Sequence, residues 1–131
     1  MPGPLELLTR VVAAAGLAVD AYLHVDLAST YDAGAATVSQ GTLFRVEAVL
    51  AALAALVVLF FRSRLLRAYA FLVAAGGLAA VLLYRYVDVG AFGPFPDMYE
   101  PVWYTKKVVS AAAQAVATVA TAVLLALPRR R

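Results

Sequence analysis

The chain has 131 residues, of which 64% are hydrophobic and 15% charged, and it contains no cysteine. Soluble domains hold roughly 45–50% apolar and 25% charged residues, so a mean hydropathy of +0.85 marks more apolar side chain than a water-facing surface can hide. The composition excludes a nucleotide-binding or hydrolase-type α/β domain, and the missing cysteines exclude disulfides, thiolate nucleophiles, iron–sulfur ligation and cysteine-type zinc sites.

A crossing helix needs about 20 mostly apolar residues. Four stretches meet that length: residues 5–28, 43–61, 65–87 and 108–127. The expected fold is all-α, a transmembrane four-helix bundle forming one membrane domain over residues 1–131. The first stretch also has the parts of a signal peptide, with Arg10 as the basic flank and Val11 to Val19 as the apolar core. Glu6 precedes that flank, however, and a further span follows rather than a soluble domain.

Orientation follows from the basic residues. Arg10, Arg62, Arg64, Arg67 and Arg129 to Arg131 fall on the side of the two termini, accompanied by Glu6 alone. Arg45, Arg85, Lys106 and Lys107 fall on the other side, with Asp20, Asp26, Asp32, Glu47, Asp88, Asp97 and Glu100. By the positive-inside rule both termini are expected to be cytoplasmic, in a bacterial inner membrane. The Arg62-Ser63-Arg64 turn then faces inward, Arg129 to Arg131 act as an anchor on anionic lipid, and the two longer loops face outward. A net charge of +3 explained by orientation gives no reason to expect a nucleic-acid partner. Matching polar positions do not recur in the two halves, so an inverted-repeat transporter lacks support.

At ~100° per residue, Ala13, Gly16, Asp20, His24 and Leu27 form one stripe of the first span. Ser110, Gln114, Thr118 and Thr121 form another on the fourth. Ala70, Ala74, Gly77, Ala80 and Tyr84 line the third, and Glu47, Ala51 and Ala54 or Ala55 the second. Small and hydroxylated residues let helices approach closely in lipid, so these stripes are expected to face inward, dry toward the cytoplasm and polar toward the outside.

Asp20, His24, Glu47 and Arg85, with Tyr84 or Tyr86 nearby, are the candidates for a common polar cluster in the outer half. Ionisable side chains inside a membrane pair with one another or line a wet cavity. Three readings fit them. The first is a structural clamp in which Arg85 bridges Asp20 and Glu47. The second is a metal or haem site, with His24, Asp20 and Glu47 as metal ligands, or His24 with Met98 or a second chain's histidine as axial haem ligands. The third is an outward pocket where Asp20 and His24 titrate and Arg85 holds an anionic or quinone-like head group, as a proton-coupled transporter or channel in an oligomer would also require.

The loop over residues 91–107 carries Pro94, Pro96 and Pro101, which forbid a long helix, and Phe92, Phe95, Tyr99, Trp103 and Tyr104, which favour the head-group layer. It is expected across the outer mouth as an aromatic belt, or as a lid or docking surface built on Tyr99, Trp103, Tyr104, Lys106 and Lys107. Thr105 is the expected N-cap of the last helix. Two lysines at a helix N-terminus are unfavourable, and pairing with Asp97 and Glu100, or contact with lipid phosphates, would offset them.

The stretch GTLFRVEAVLAAL from Gly41 to Leu53, after a first span with an acid and a histidine near its outer end, resembles small four-span membrane proteins of high-GC actinobacteria, loosely similar to the DoxX-like group. The resemblance implies a non-enzymatic accessory subunit, associated in the bilayer with a larger, sometimes quinone-linked membrane enzyme or with itself. It carries no catalytic residue to these positions; no cofactor is expected from the residues themselves beyond the haem, metal or quinone alternatives above.

Overall fold

The computed structural model describes residues 3–33 and 36–128, so the expected Arg129 to Arg131 anchor lies outside the described residues. Four helices form a bundle: α1 over Pro4–Ala28, α2 over Gln40–Phe60, α3 over Arg64–Tyr86 and α4 over Thr105–Ala126. A short 3-10 turn, Ser29–Tyr31, extends α1. All four are long and apolar enough to cross a membrane. At ~1.5 Å per residue each exceeds the ~30 Å hydrocarbon layer. Each helix packs against its neighbours in chain order and α4 closes on α1, so the start of α1, the end of α4 and the α2–α3 turn lie at one end, the basic end, and the other two connections at the opposite end.

Helices α2 and α4 begin three residues earlier than hydropathy predicts. The reason for α2 is local: the Ser39 hydroxyl accepts the Thr42 N–H at 2.9 Å, so the cap admits the polar turn Gln40-Gly41-Thr42 to the helix. Ser63 caps α3 in the same way through Leu66 N–H at 3.3 Å, and Pro4 opens α1 where its missing donor costs nothing. The expected Thr105 cap is corrected. Tyr104 holds the cap position of α4 without a side-chain bond, and Thr105 is the first helical residue.

The core at the basic end is made largely of alanine. Ala13, Ala51, Ala54, Ala70, Ala74 and Ala117 are buried around Leu17, Val58 and Leu124. Small side chains bring helix axes close together, which is how packing rather than the hydrophobic effect holds helices in lipid. Helices α1 and α4 approach closely at Gly16, where a Cβ would lie 2.9 Å from the Ala113 carbonyl oxygen. Large apolar side chains such as Leu5, Leu8, Val49, Leu72 and Val119 point outward and stay exposed. This reverses the pattern of a water-soluble bundle and matches contact with a lipid bilayer.

The arginines of the basic end do more than carry charge. Arg10 donates from Nε and Nη2 to the carbonyls of Val58 and Leu59 at 3.0 and 2.6 Å, satisfying the C-terminus of α2. Arg64 donates to the Leu125 and Leu127 carbonyls at 2.8 and 3.3 Å, and Arg67 to that of Leu124 at 3.4 Å, closing α4. The last carbonyls of a helix have no partner within it, and cationic donors also complement its dipole. Glu6 joins this layer as the counter-ion of Arg62 at 3.1 Å and Arg67 at 3.5 Å.

Candidate functional site

At the loop end the bundle holds a polar cluster with a chamber above it. Asp20 and His24 are one turn apart on α1, and His24 Nδ1 lies 2.7 Å from Asp20 Oδ1 and 2.9 Å from the Asp20 carbonyl. Both neighbours accept hydrogen bonds, so Nδ1 carries the hydrogen and Nε2 is turned to other use. Gln114 of α4 donates to the same Asp20 Oδ1 at 3.1 Å. Asp20 and Gln114 are both fully buried. Glu47 of α2 completes the group opposite Gly77 of α3. A Cβ on Gly77 would stand 2.5 Å from Gln114 Nε2 and 3.0 Å from Glu47 Oε1. A side chain at this position would have to push the end of Gln114 or Glu47 aside.

Arg85 is not part of this cluster, which corrects the expected bridge between Asp20 and Glu47. Its guanidinium lies 4.7 Å from the ring centre of Tyr86 and 5.6 Å from that of Trp103. Arg85 occupies the last turn of α3, and from there its long side chain reaches the aromatic loop, where the ring faces attract the guanidinium and its Nε is buried without a hydrogen-bond partner. The cluster therefore has two carboxyls and one histidine with no arginine, and the anion-holding role expected of Arg85 is withdrawn. Among the described residues no three His, Asp or Glu side chains are placed to hold a metal ion together.

Above the cluster lies a chamber of about 260 Å³ whose lining comes from all four helices and from the loop between α3 and α4. At roughly 30 Å³ per water molecule, this is room for one ring and part of a tail, smaller than a whole lipid. His24, Glu47, Gly77 and Ser110 form its floor, while Leu27, Leu43, Phe44, Ala80 and Val81 make its wall. The Phe44 ring packs edge-on against His24, with centroids 5.0 Å apart, and against Tyr31 at 4.9 Å. Tyr84, Met98, Glu100, Tyr104 and Lys107 surround the mouth.

The loop is fastened over that mouth. The Glu100 N–H donates to the Tyr84 carbonyl at 2.9 Å, and the Val38 N–H of the other loop donates to the Pro94 carbonyl at 3.0 Å. Tyr31 places its hydroxyl 3.0 and 2.9 Å from the two Glu100 carboxylate oxygens and 2.8 Å from the Tyr104 hydroxyl. Burial pushes the Tyr104 phenol above its ordinary value, so it stays protonated at neutral pH. Lys107 Nζ donates to the carbonyls of Glu100 and Val102 at 2.7 and 3.2 Å and to Glu100 Oε1 at 3.3 Å. Gly93, at φ +58, makes the turn that bridges Phe92 and Phe95, a conformation that favours glycine.

Of the five loop residues expected over the mouth, Tyr104 and Lys107 line the chamber. Tyr99 is exposed, its N–H bonded to Asp97 Oδ1. Trp103 meets Tyr86 edge-on and has the Arg85 guanidinium near its ring face, and Lys106 pairs with Asp26 on the outside of the bundle. The lysine problem at the start of α4 is thereby solved through Asp26, Glu100 and two carbonyls, with Asp97 taking no part in either lysine's pairing. Sequence reasoning missed Glu100 as the hub of the lid and Tyr31 as its latch, although a glutamate between prolines in an aromatic loop was a visible signal.

The fold and site together define a four-span membrane bundle with a loop-covered, mostly apolar chamber over a buried acid–histidine–amide cluster. Comparison with protein-family models, curated proteins and solved structures finds no match, so the chamber's own chemistry has to carry the functional argument.

Proposed function

We propose that the protein is a non-enzymatic membrane subunit that holds a lipophilic small molecule in its outer half, beneath the loop joining α3 and α4. The observation that carries this reading is the chamber: about 260 Å³, apolar on its sides, polar at its floor and mouth. Ligand sites are concave, mostly apolar and furnished with a few convergent polar groups. A bundle that needed only to pack would be expected to fill such a space, because voids in a core cost stability. In this reading the basic end faces the cytoplasm of a bacterial inner membrane, by the positive-inside rule, and the chamber opens outward. The accessory role implied by the resemblance to the DoxX-like group is compatible with this, the bound molecule being presented to a larger membrane enzyme or to a second copy.

The test is purification from the native membrane, with mass spectrometry of the extracted small molecules, an optical spectrum and metal analysis. The expected result is a colourless protein that retains a lipophilic molecule near one per chain. Ala80→Trp, which fills the chamber from α3, should lose that molecule while melting at the wild-type temperature. A Soret band or stoichiometric metal would favour the haem or metal reading through His24 instead. An empty wild-type protein that also takes up no added amphiphile would overturn the proposal.

A further inference from the structure

Building on the chamber as a ligand site, we infer that its occupant is an amphiphile with a cationic nitrogen head, seated beside Glu47 in exchange for a proton of the Asp20–Glu47–His24 cluster.

The two ends of the bundle neutralise their buried acids differently. At the basic end Glu6 is held by fixed cations, Arg62 at 3.1 Å and Arg67 at 3.5 Å. At the chamber end Glu47 and Asp20 are hydrogen-bonded carboxyl to carboxyl and so share a proton, and their other titratable neighbour is the imidazole of His24, 2.7 Å from Asp20. The fixed cations of this end are turned elsewhere. Arg45 and Lys106 pair with Asp32 and Asp26, Arg85 lies over Tyr86 and Trp103, and Lys107 spends its hydrogens on loop carbonyls and Glu100. Exchangeable protons alone therefore neutralise Asp20 and Glu47. Ionisable groups held this way inside a membrane mark ion and substrate sites.

The chamber reaches this proton store. Glu47 and Ser110 stand at its floor, and Ser110, 5% exposed, has a hydroxyl without a partner whose oxygen can face a positive charge. Phe44, Tyr84 and Tyr104 give the wall and mouth an aromatic lining, and aromatic rings attract onium heads. Toward Glu47, α3 presents Gly77 and the phenol of Tyr69, α4 presents Gln114, and the loop presents Glu100 already paired with Lys107. The proton given up thus belongs to the coupled cluster of Asp20, Glu47 and His24 as a unit. With the imidazole neutral that cluster carries one negative charge, and with it doubly protonated none. In either form a cation enters, one proton leaves through the mouth to water, and the total charge is unchanged. An anionic head would instead meet Glu47 and Glu100 with no cation left to pair with it, in a medium that screens poorly.

The test compares three probes with one octyl tail, octyltrimethylammonium, its uncharged carbon isostere 2,2-dimethyldecane and octanesulfonate, by their retention in nanodiscs of zwitterionic lipid with and without the protein. The protein should favour the cation about tenfold or more over the isostere and over the sulfonate. An indicator dye in weak buffer should report about one proton released per cation bound, and affinity for the cation should rise with pH by up to about tenfold per unit while that for the isostere stays flat. Glu47→Gln keeps the size of the side chain and removes its exchangeable proton, so it should abolish the proton release and bring the cation down to the level of the isostere. The dye and pH measurements on the wild type decide the matter if that variant does not fold. Equal retention of cation and isostere, preference for the sulfonate, cation uptake without proton release, or a folded Glu47→Gln that behaves as wild type would overturn the inference and leave the chamber standing as a ligand site. Retention of none of the three would overturn both.

Discussion

Gly77 on α3 and Gln114 on α4 are matched to each other: a Cβ on the glycine would come within 2.5 Å of the amide nitrogen that donates to Asp20. Neighbouring Gly76 meets nothing within 4 Å. Two adjacent glycines thus make opposite predictions. Gly77→Ala must displace Gln114 or Glu47, and overpacking of this kind costs about 1–3 kcal/mol. Gly76→Ala gains helix propensity, worth up to about 1 kcal/mol in water, and should be neutral or slightly stabilising. Unfolding of the two variants in the same micelles separates them, and equal behaviour would mean that the Asp20–Gln114 contact does not hold the position of α3.

Arg10 separates two uses of a basic residue. If it only orients the chain, Arg10→Lys is silent, because the charge remains. Its guanidinium, however, reaches two successive carbonyls at the end of α2 from two different nitrogens, and an ammonium cannot reproduce that fork. Hydrogen bonds to charged groups contribute about 1.5–3 kcal/mol, so Arg10→Lys should keep the topology and lose on the order of 1 kcal/mol or more of stability. Arg62→Lys, whose partner Glu6 also contacts Arg67, should lose much less. Cysteine-labelling topology assays and unfolding midpoints, read together on both variants, decide the matter.

Helical periodicity made the interior legible, because it reports which face a residue occupies. Ala13, Gly16, Asp20 and His24 on α1, and Ser110, Gln114 and Thr121 on α4, are all buried where their stripes predict. It does not report where a long side chain goes. Arg85 is four carbons of reach from either the core or the loop, and the loop's aromatic rings, whose positions depend on tertiary structure, decide the outcome. Contacts such as Tyr31 with Glu100, 69 residues apart, have no local signature at all. The helix starts were hidden for another reason: Gln40 to Thr42 and Lys106 to Lys107 are polar first turns, which hydropathy reads as loop.

Asp32 ties the first loop to α2 through a two-pronged pair with Arg45, at 2.8 Å to each carboxylate oxygen. The Arg45 guanidinium holds the Asp32 carboxyl below its ordinary value. A carboxyl lowered on folding contributes above the ordinary value of about 3.9 and loses that contribution as pH falls through the lower folded value. Loop order should therefore hold at neutral pH and weaken only in acid, and salt should weaken it too, since the pair is exposed. Amide chemical shifts of residues 36–41 followed against pH should show a step that Asp32→Asn lacks. A step that persists in that variant would assign it to another acid.

Tyr31 is the residue through which α1 fastens the lid, its single hydroxyl serving Glu100 and Tyr104 together. Tyr31→Phe keeps the ring against Phe44 and removes only that hydroxyl. Glu100 retains Lys107, and the loop retains its backbone bond to Tyr84, so the lid should loosen rather than detach. The loss of one hydrogen bond to a charged group, about 1.5–3 kcal/mol, corresponds to roughly tenfold or more in opening. Amide exchange across residues 97–104 should accelerate by that factor in Tyr31→Phe, while exchange at Ala51 and Ala117 in the alanine core stays at wild-type rates. Tyr99→Phe, which alters an exposed ring on the same loop, should change neither. Acceleration spread equally into the core would show that Tyr31 supports the whole bundle and not the cover of its chamber.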